Sequence, residues 1–128
     1  MGVYSLPMPT VLLVAERQSV IDRVRAALSA PGMEVIEHRD PETAAATAYE
    51  SEVDHILVDM RIASMGAMAV TRAVRAAAKG DDRIPVTIIL DRDADTFIAG
   101  RSGADNWVAK DASAAELRAA VSASGAHA

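Results

Sequence analysis

Three charged residues stand where short apolar runs end: Glu16 after VLLV-Ala15, Asp59 closing HILVD, and Lys110 after NWVA. Two carboxylates and an ammonium suit one kind of chemistry. Hard oxygen ligands hold Mg²⁺, which takes one or two carboxylates and keeps several waters, and a lysine beside them neutralises charge on a phosphoryl oxygen. Taken singly, each is an ordinary solvated charge at a loop edge. Their shared position at the ends of strand-like runs is what points to a site.

For these residues to meet, the segments before them must lie side by side. Val11–Val14, Ile56–Val58 and Val86–Leu90 are nearly continuous apolar runs, as strands covered on both faces should be. Between them run helical patterns. Val20, Val24, Ala27 and Leu28 recur at helical spacing before Pro31-Gly32 stops the first helix. Met33–His38 carries more charge and reads as an edge strand. Asp40-Pro41-Glu42 reads as an N-cap, a proline at the first helical position and an early acid, opening a helix to about Glu50. Ala67, Val70, Val74 and Ala77 form the apolar stripe of a third helix ending near Gly80.

Asp93 is placed to cap a short helix through Phe97 and Ile98, weakened by Gly100. Trp107-Val108-Ala109 is the fifth strand, and Ser113 with Glu116 spells a capping box for a last helix carrying Leu117 and Val121. Five β/α pairs in this order predict an α/β fold, a doubly wound parallel sheet with helices on both faces. Its ligand site belongs outside the carboxyl ends of the strands: Ala15-Glu16, Asp59-Met60-Arg61, Leu90-Asp91-Arg92 and Lys110-Asp111.

Composition removes several alternatives. The 128 residues fit one domain, with residues 1–9 expected as a loose extension, 10–122 as the domain and 123–128 as a frayed tail. Cysteine is absent, which excludes disulfides and thiolate metal sites, and a net charge of −5 gives no general attraction to nucleic acid or anionic membrane. The opening MGVYSLPMPT lacks the Lys or Arg of a signal peptide, and no apolar run approaches a membrane span, so the expected location is cytoplasmic. No glycine-rich loop follows the first strand, which disfavours nucleotide binding. His38, His55 and His127 lack ligand spacing, and Arg72, Arg75 and Lys79 read as a solvated helix face.

Over residues 10–122 the sequence resembles the receiver domain of bacterial two-component response regulators. The resemblance rests on VLLV followed by an acid, HILVDM, the proline of IPVTIIL and, most specifically, SGADNWVAKD. It implies a flavodoxin-like strand order 2-1-3-4-5. It also implies Asp59 as phospho-acceptor, Lys110 as the phosphoryl-contacting lysine, Glu16, Asp59 and Arg61 as Mg²⁺-site positions, and Trp107 as the switch aromatic. The implied partners are proteins, a sensor histidine kinase or a downstream effector, and a second copy through the fourth helix, fifth strand and last helix. With no further segment after that helix, a stand-alone receiver is expected.

The departures from the family pattern shape the expectation as much as the matches. Ala15 stands where the first of two adjacent acids is usual, Ala63 and Ala67 replace a proline and a glycine, and Asp111 replaces the proline after the lysine. Leu90 or Asp91 occupies the place of the hydroxyl residue that follows the phosphoryl group. Leucine has no donor, and a carboxylate adds like charge: two unit charges about 4 Å apart at an effective dielectric near 20 repel by roughly 4 kcal/mol. The expectation is an atypical receiver with weak or absent phosphorylation and a weakened Mg²⁺ site; the alternative is a phosphorylation-independent interaction module. A carboxylate-dependent phosphohydrolase is disfavoured, because Arg61 stands where the haloacid-dehalogenase pattern needs a second aspartate.

Overall fold

A computed structural model of the chain describes residues 9–29, 32–62, 66–80, 82–92 and 95–122. Alternating elements follow the apolar runs: β1 (Thr10–Val14), α1 (Gln18–Leu28), β2 (Glu34–His38), α2 (Ala44–Glu50), β3 (His55–Asp59), α3 (Gly66–Ala77), β4 (Val86–Ile89), α4 (Asp95–Arg101), β5 (Asn106–Val108) and α5 (Ala114–Ser122). The strands form one parallel sheet in the order β2-β1-β3-β4-β5. The charged β2 lies at an edge, as its composition requires.

Side chains alternate across a strand, so each central strand supplies both faces. Leu12, Val14, Ile56, Val58, Val86 and Ile88 face one core with α2, α3 and Ala99 of α4. Val11, Leu13, Leu57 and Ile89 face a second core against α1 and α5. Burying each such aliphatic side chain contributes about 1.5–3 kcal/mol. This two-sided burial is why the strands read as unbroken apolar runs.

Local signals account for most element ends. Ser113 and Glu116 form the capping box reciprocally: Glu116 N–H donates to Ser113 Oγ at 3.1 Å and Ser113 N–H donates to the Glu116 carboxylate at 2.9 Å. These bonds, the backbone one foremost, pull the Glu116 carboxyl below its ordinary value. Asp40 accepts from Glu42 N–H at 3.0 Å, but the turn it opens, Pro41–Thr43, is a 3-10 helix that becomes α2 only at Ala44.

Two expectations on α3 change. Ala77 is exposed at the last turn, on the margin of the helical stripe, while Thr71 is buried and its hydroxyl donates to Ala67 O at 2.9 Å. Arg75 is not part of a solvated face: it donates to Gly103 O, Ile84 O and Asp105. The expected cap Asp93, Ala63, residues 1–8 and residues 123–128 lie outside the described residues. Among the described residues no helix is long and apolar enough to cross a membrane.

Candidate functional site at the carboxyl edge

Register brings the strand ends together. Val14 lies opposite Val58, Asp59 opposite Ile89, and Ile89 opposite Val108. Glu16, Asp59, Leu90-Asp91 and Lys110 therefore share one edge of the sheet. Asp59 is fully buried at the end of β3, and the backbone turns immediately after it, with Ile62 N–H donating to Asp59 O at 3.0 Å.

The partner of Asp59 is Arg17. Arg17 Nε donates to Asp59 Oδ2 at 3.0 Å and Nη2 to Oδ1 at 2.9 Å, a two-pronged pair across 42 residues of sequence. The Asp59 side chain is 0% exposed and that of Arg17 37%. Parallel N–H bonds of this kind combine full charge with fixed geometry. The hydrogen bond to Asp59 raises the Arg17 pKa above its ordinary value against the opposing effect of burial, and the charges of Asp59 and Asp91 add to the rise. Arg61 N–H also donates to Asp59 Oδ1, at 3.2 Å.

Arg17 reaches Asp59 because it is the N-cap residue of α1, with extended backbone at φ −76° and ψ 122°. Arginine is an unusual cap, since it cannot accept from the first-turn N–H groups, and no side-chain cap bond forms. Ala15, buried two residues before it, contributes no carboxylate to this corner. Glu16, by contrast, is exposed, and its carbonyl accepts from Arg39 Nη1 at 2.9 Å. An arginine at a cap position, next to the only acid after β1, was the sequence signal for this pairing, and the sequence reading passed over it.

Around Asp59, Leu90 is buried within the α2–α3–α4 core, while Asp91 is half-buried with Oδ1 3.7 Å from Arg61 Nη1. Lys110 is exposed in the turn after β5 and lines a hollow of about 260 Å³ with Leu90, Asp91, Arg92 and Asp111. Trp107 is half-buried on β5 and packs against the α2–α3–α4 core. A Cβ on Gly100 of α4 would stand 3.7 Å from its Cη2, so α4 and the indole are in near contact.

A family model for the response regulator receiver domain matches residues 11–122. The chain belongs to the response regulator receiver domain family. The sensory transduction protein RegX3 of Mycolicibacterium smegmatis is 30% identical over 118 residues, covering 91% of this chain and 50% of RegX3. The transcriptional regulatory protein PrrA of Mycobacterium tuberculosis is 32% identical over 117 residues, covering 90% and 49%. This receiver domain thus spans about half the length of the curated relatives it matches. The signal receiver domain of the response regulator NarL from Mycobacterium tuberculosis superimposes with a TM-score of 0.77 at 25% identity, over 93% of this chain and 97% of that one. The family is a signalling module of two-component systems, which establishes the fold class, strand order and general role expected from the sequence.

Receivers generally bind Mg²⁺ at the phosphorylation site. The residues of this receiver do not fit that ion. Both oxygens of Asp59 are engaged by a guanidinium, Ala15 offers no ligand, and among the described residues no group of three or more His, Cys, Asp or Glu is placed to hold a metal. A cation already sits on Asp59, and it is covalently part of the chain.

Proposed function

We propose that this receiver is atypical: Arg17 supplies at Asp59 the positive charge that a divalent ion supplies elsewhere, phosphorylation of Asp59 is weak or absent, and the output is contact with another protein. The observation that carries the reading is the two-pronged Arg17–Asp59 pair. For either oxygen to attack a phosphodonor it must give up a charge-assisted hydrogen bond. The product would gain negative charge beside Asp91, with no hydroxyl at Leu90 or Asp91 to follow it. Glu16, Asp59 and Arg61 then form a weak Mg²⁺ site at best, and Lys110 remains the side chain placed to meet a phosphoryl group. A phosphorylation-independent interaction module is the limiting case of the same reading.

The face proposed for that contact is α4–β5–α5. Phe97 on α4 is 68% exposed, with the Arg101 guanidinium 5.4 Å from its ring centroid, and half-buried Trp107 lies beside α4. Aromatic and arginine side chains are the usual anchors of interfaces. The partner is a sensor histidine kinase, a downstream effector or a second copy of the chain.

Incubation with a small-molecule phosphodonor and Mg²⁺, followed by intact mass, tests the acceptor. The native chain is expected to stay largely unmodified, and Arg17→Ala to gain labelling several-fold. Stoichiometric labelling of native Asp59 with a large structural change would overturn the reading. Trp107→Ala is expected to weaken self-association or partner capture in a folded chain; unchanged association would remove Trp107 from the contact.

A further inference from the structure

Arg17 makes its fixed pair with Asp59 from a position that is loose by itself. Its side chain is 37% exposed, and no side-chain cap holds the chain where α1 begins. An exposed arginine gives up much rotamer freedom to stay in one geometry. On the helix side its backbone is secured, because Arg17 O accepts the N–H groups of Val20 and Ile21, each at 3.1 Å. On the strand side the tie comes from another element.

That tie is Arg39, in the turn after β2. Its Nη1 donates to Glu16 O at 2.9 Å and its Nη2 to Gln18 Oε1 at 2.7 Å. The two acceptors belong to the residues immediately before and after Arg17, so one guanidinium spans the point from which the Arg17 side chain leaves the backbone. A planar, rigid fork fixes both neighbours together. The turn that presents Arg39 is itself ordered. Ala15 N–H donates to His38 O at 3.1 Å, Asp40 accepts Glu42 N–H at 3.0 Å and the Thr43 hydroxyl at 3.1 Å, and His38 Nε2 lies 2.8 Å from Thr43 Oγ1.

We infer that Arg39 is the positioning residue of the Arg17–Asp59 pair, a latch on the β2–α2 turn that keeps the guanidinium of Arg17 over Asp59. The inference rests on the reading of Arg17 as the cation that blocks Asp59, and it names what regulates that block. Arg39 touches neither Asp59 nor any reacting group and acts only through Glu16 and Gln18. Both Arg39 and Gln18 are exposed, so the latch opens without disturbing the core. A second arginine tie between α1 and β2 lies further along the helix: Arg25 Nη1 donates to Val35 O at 2.9 Å and Arg25 Nε pairs with Glu37 at 2.9 Å. It does not flank Arg17, which makes it the natural control.

Exchange of the Arg17 Nε–H with solvent, followed by NMR on the ¹⁵N-labelled full chain, reads how often the pair opens. The signal is assigned by its loss in Arg17→Lys. In the native chain it is expected to exchange far more slowly than that of exposed Arg72. Arg39→Gln should speed it roughly threefold or more, the loss of two exposed charge-assisted bonds. Gln18→Ala should give a smaller acceleration, while Gln18→Glu, which keeps the acceptor, should hold the native rate. Arg25→Gln should leave the rate unchanged, although it removes a comparable contact. Labelling of Asp59 by a small-molecule phosphodonor should rise in Arg39→Gln, though less than in Arg17→Ala. Native protection that survives Arg39→Gln, or equal acceleration by Arg25→Gln, would overturn the latch and leave the Arg17–Asp59 reading standing. A native Arg17 signal exchanging as fast as that of Arg72 would remove that reading, and the latch with it.

Discussion

Two buried aspartates, one at each edge of the sheet, are both held by arginine and behave as different devices. Asp105, at the amino edge before β5, accepts Val86 N–H at 2.8 Å and Arg75 Nη2 at 2.7 Å, and pairs with Arg83. Arg75 also donates to Gly103 O at 3.2 Å and Ile84 O at 3.3 Å. That carboxylate joins α3, the approach to β4 and the start of β5, and every contact is to framework. Asp59, at the carboxyl edge, has one arginine and one N–H from the following turn. Its arginine swings from a helix cap and is more than a third exposed. The same pair of residue types thus makes a rivet where it is networked and a removable plug where it stands on a single side chain at an open edge.

The strongest way to break the comparison is at the rivet. Asp105→Ala strands Val86 N–H and leaves Arg75 and Arg83 without their shared acceptor, and should cost about 3 kcal/mol of stability by urea unfolding. A loss no larger than that of an exposed ion pair would show that the amino edge is no more tightly held than the carboxyl edge.

Acid sharpens the contrast at the same edge. His55, buried at the start of β3 with Nε2 2.6 Å from Thr87 Oγ1, has its pKa pushed down to about 4, mainly by burial, with the Asp105 charge opposing. Its folded pKa lies below the unfolded value near 6.5. The unfolded chain therefore binds more protons in that window, and the stability contribution present above pH 6.5 is lost as pH falls towards 4. Between pH 7 and 5 the loss should be about 2 kcal/mol. Unfolding midpoints measured across this range, in the native chain and in His55→Gln, check it: the variant should show a flatter profile.

The plug should give less. Arg17→Ala leaves Asp59 short of its partner, but the group lies at the sheet's carboxyl edge, where a cation can compensate, so the expected cost is on the order of 1–2 kcal/mol. Millimolar Mg²⁺ should raise the unfolding midpoint of Arg17→Ala and leave the native chain unchanged. Equal Mg²⁺ stabilisation of both would mean that Arg17 does not occupy the metal's place. Ser113→Ala, which bonds neither aspartate, sets the lower end of the scale: loss of half the α5 capping box should cost about 1 kcal/mol and leave phosphodonor and Mg²⁺ responses untouched.

Much of this was legible in the chain because it is encoded locally. The apolar runs ending at Val14, Val58 and Leu90, the helical spacing of Val20, Val24, Ala27 and Leu28, and the Ser113–Glu116 box are patterns within one element, and period and capping chemistry translate them into strands, helices and ends to within a residue or so. Alternation of those elements in turn determined the parallel sheet and put Asp59 and Lys110 on one edge. The boundaries that shifted, such as the 3-10 entry to α2 and the exposure of Ala77, depend on how a helix end meets its neighbours.

What only the tertiary structure decided is which charge meets which. Arg17 and Asp59 are 42 residues apart, and Arg75 and Asp105 are 30. Charged side chains carry no periodicity that names a distant partner; long, flexible arginines choose among several carboxylates only once packing has positioned them. Arg75 read as solvent-facing for that reason. The sequence by itself determined the scaffold and the edge on which Asp59 stands, and the folded chain determined that the cation beside Asp59 is Arg17.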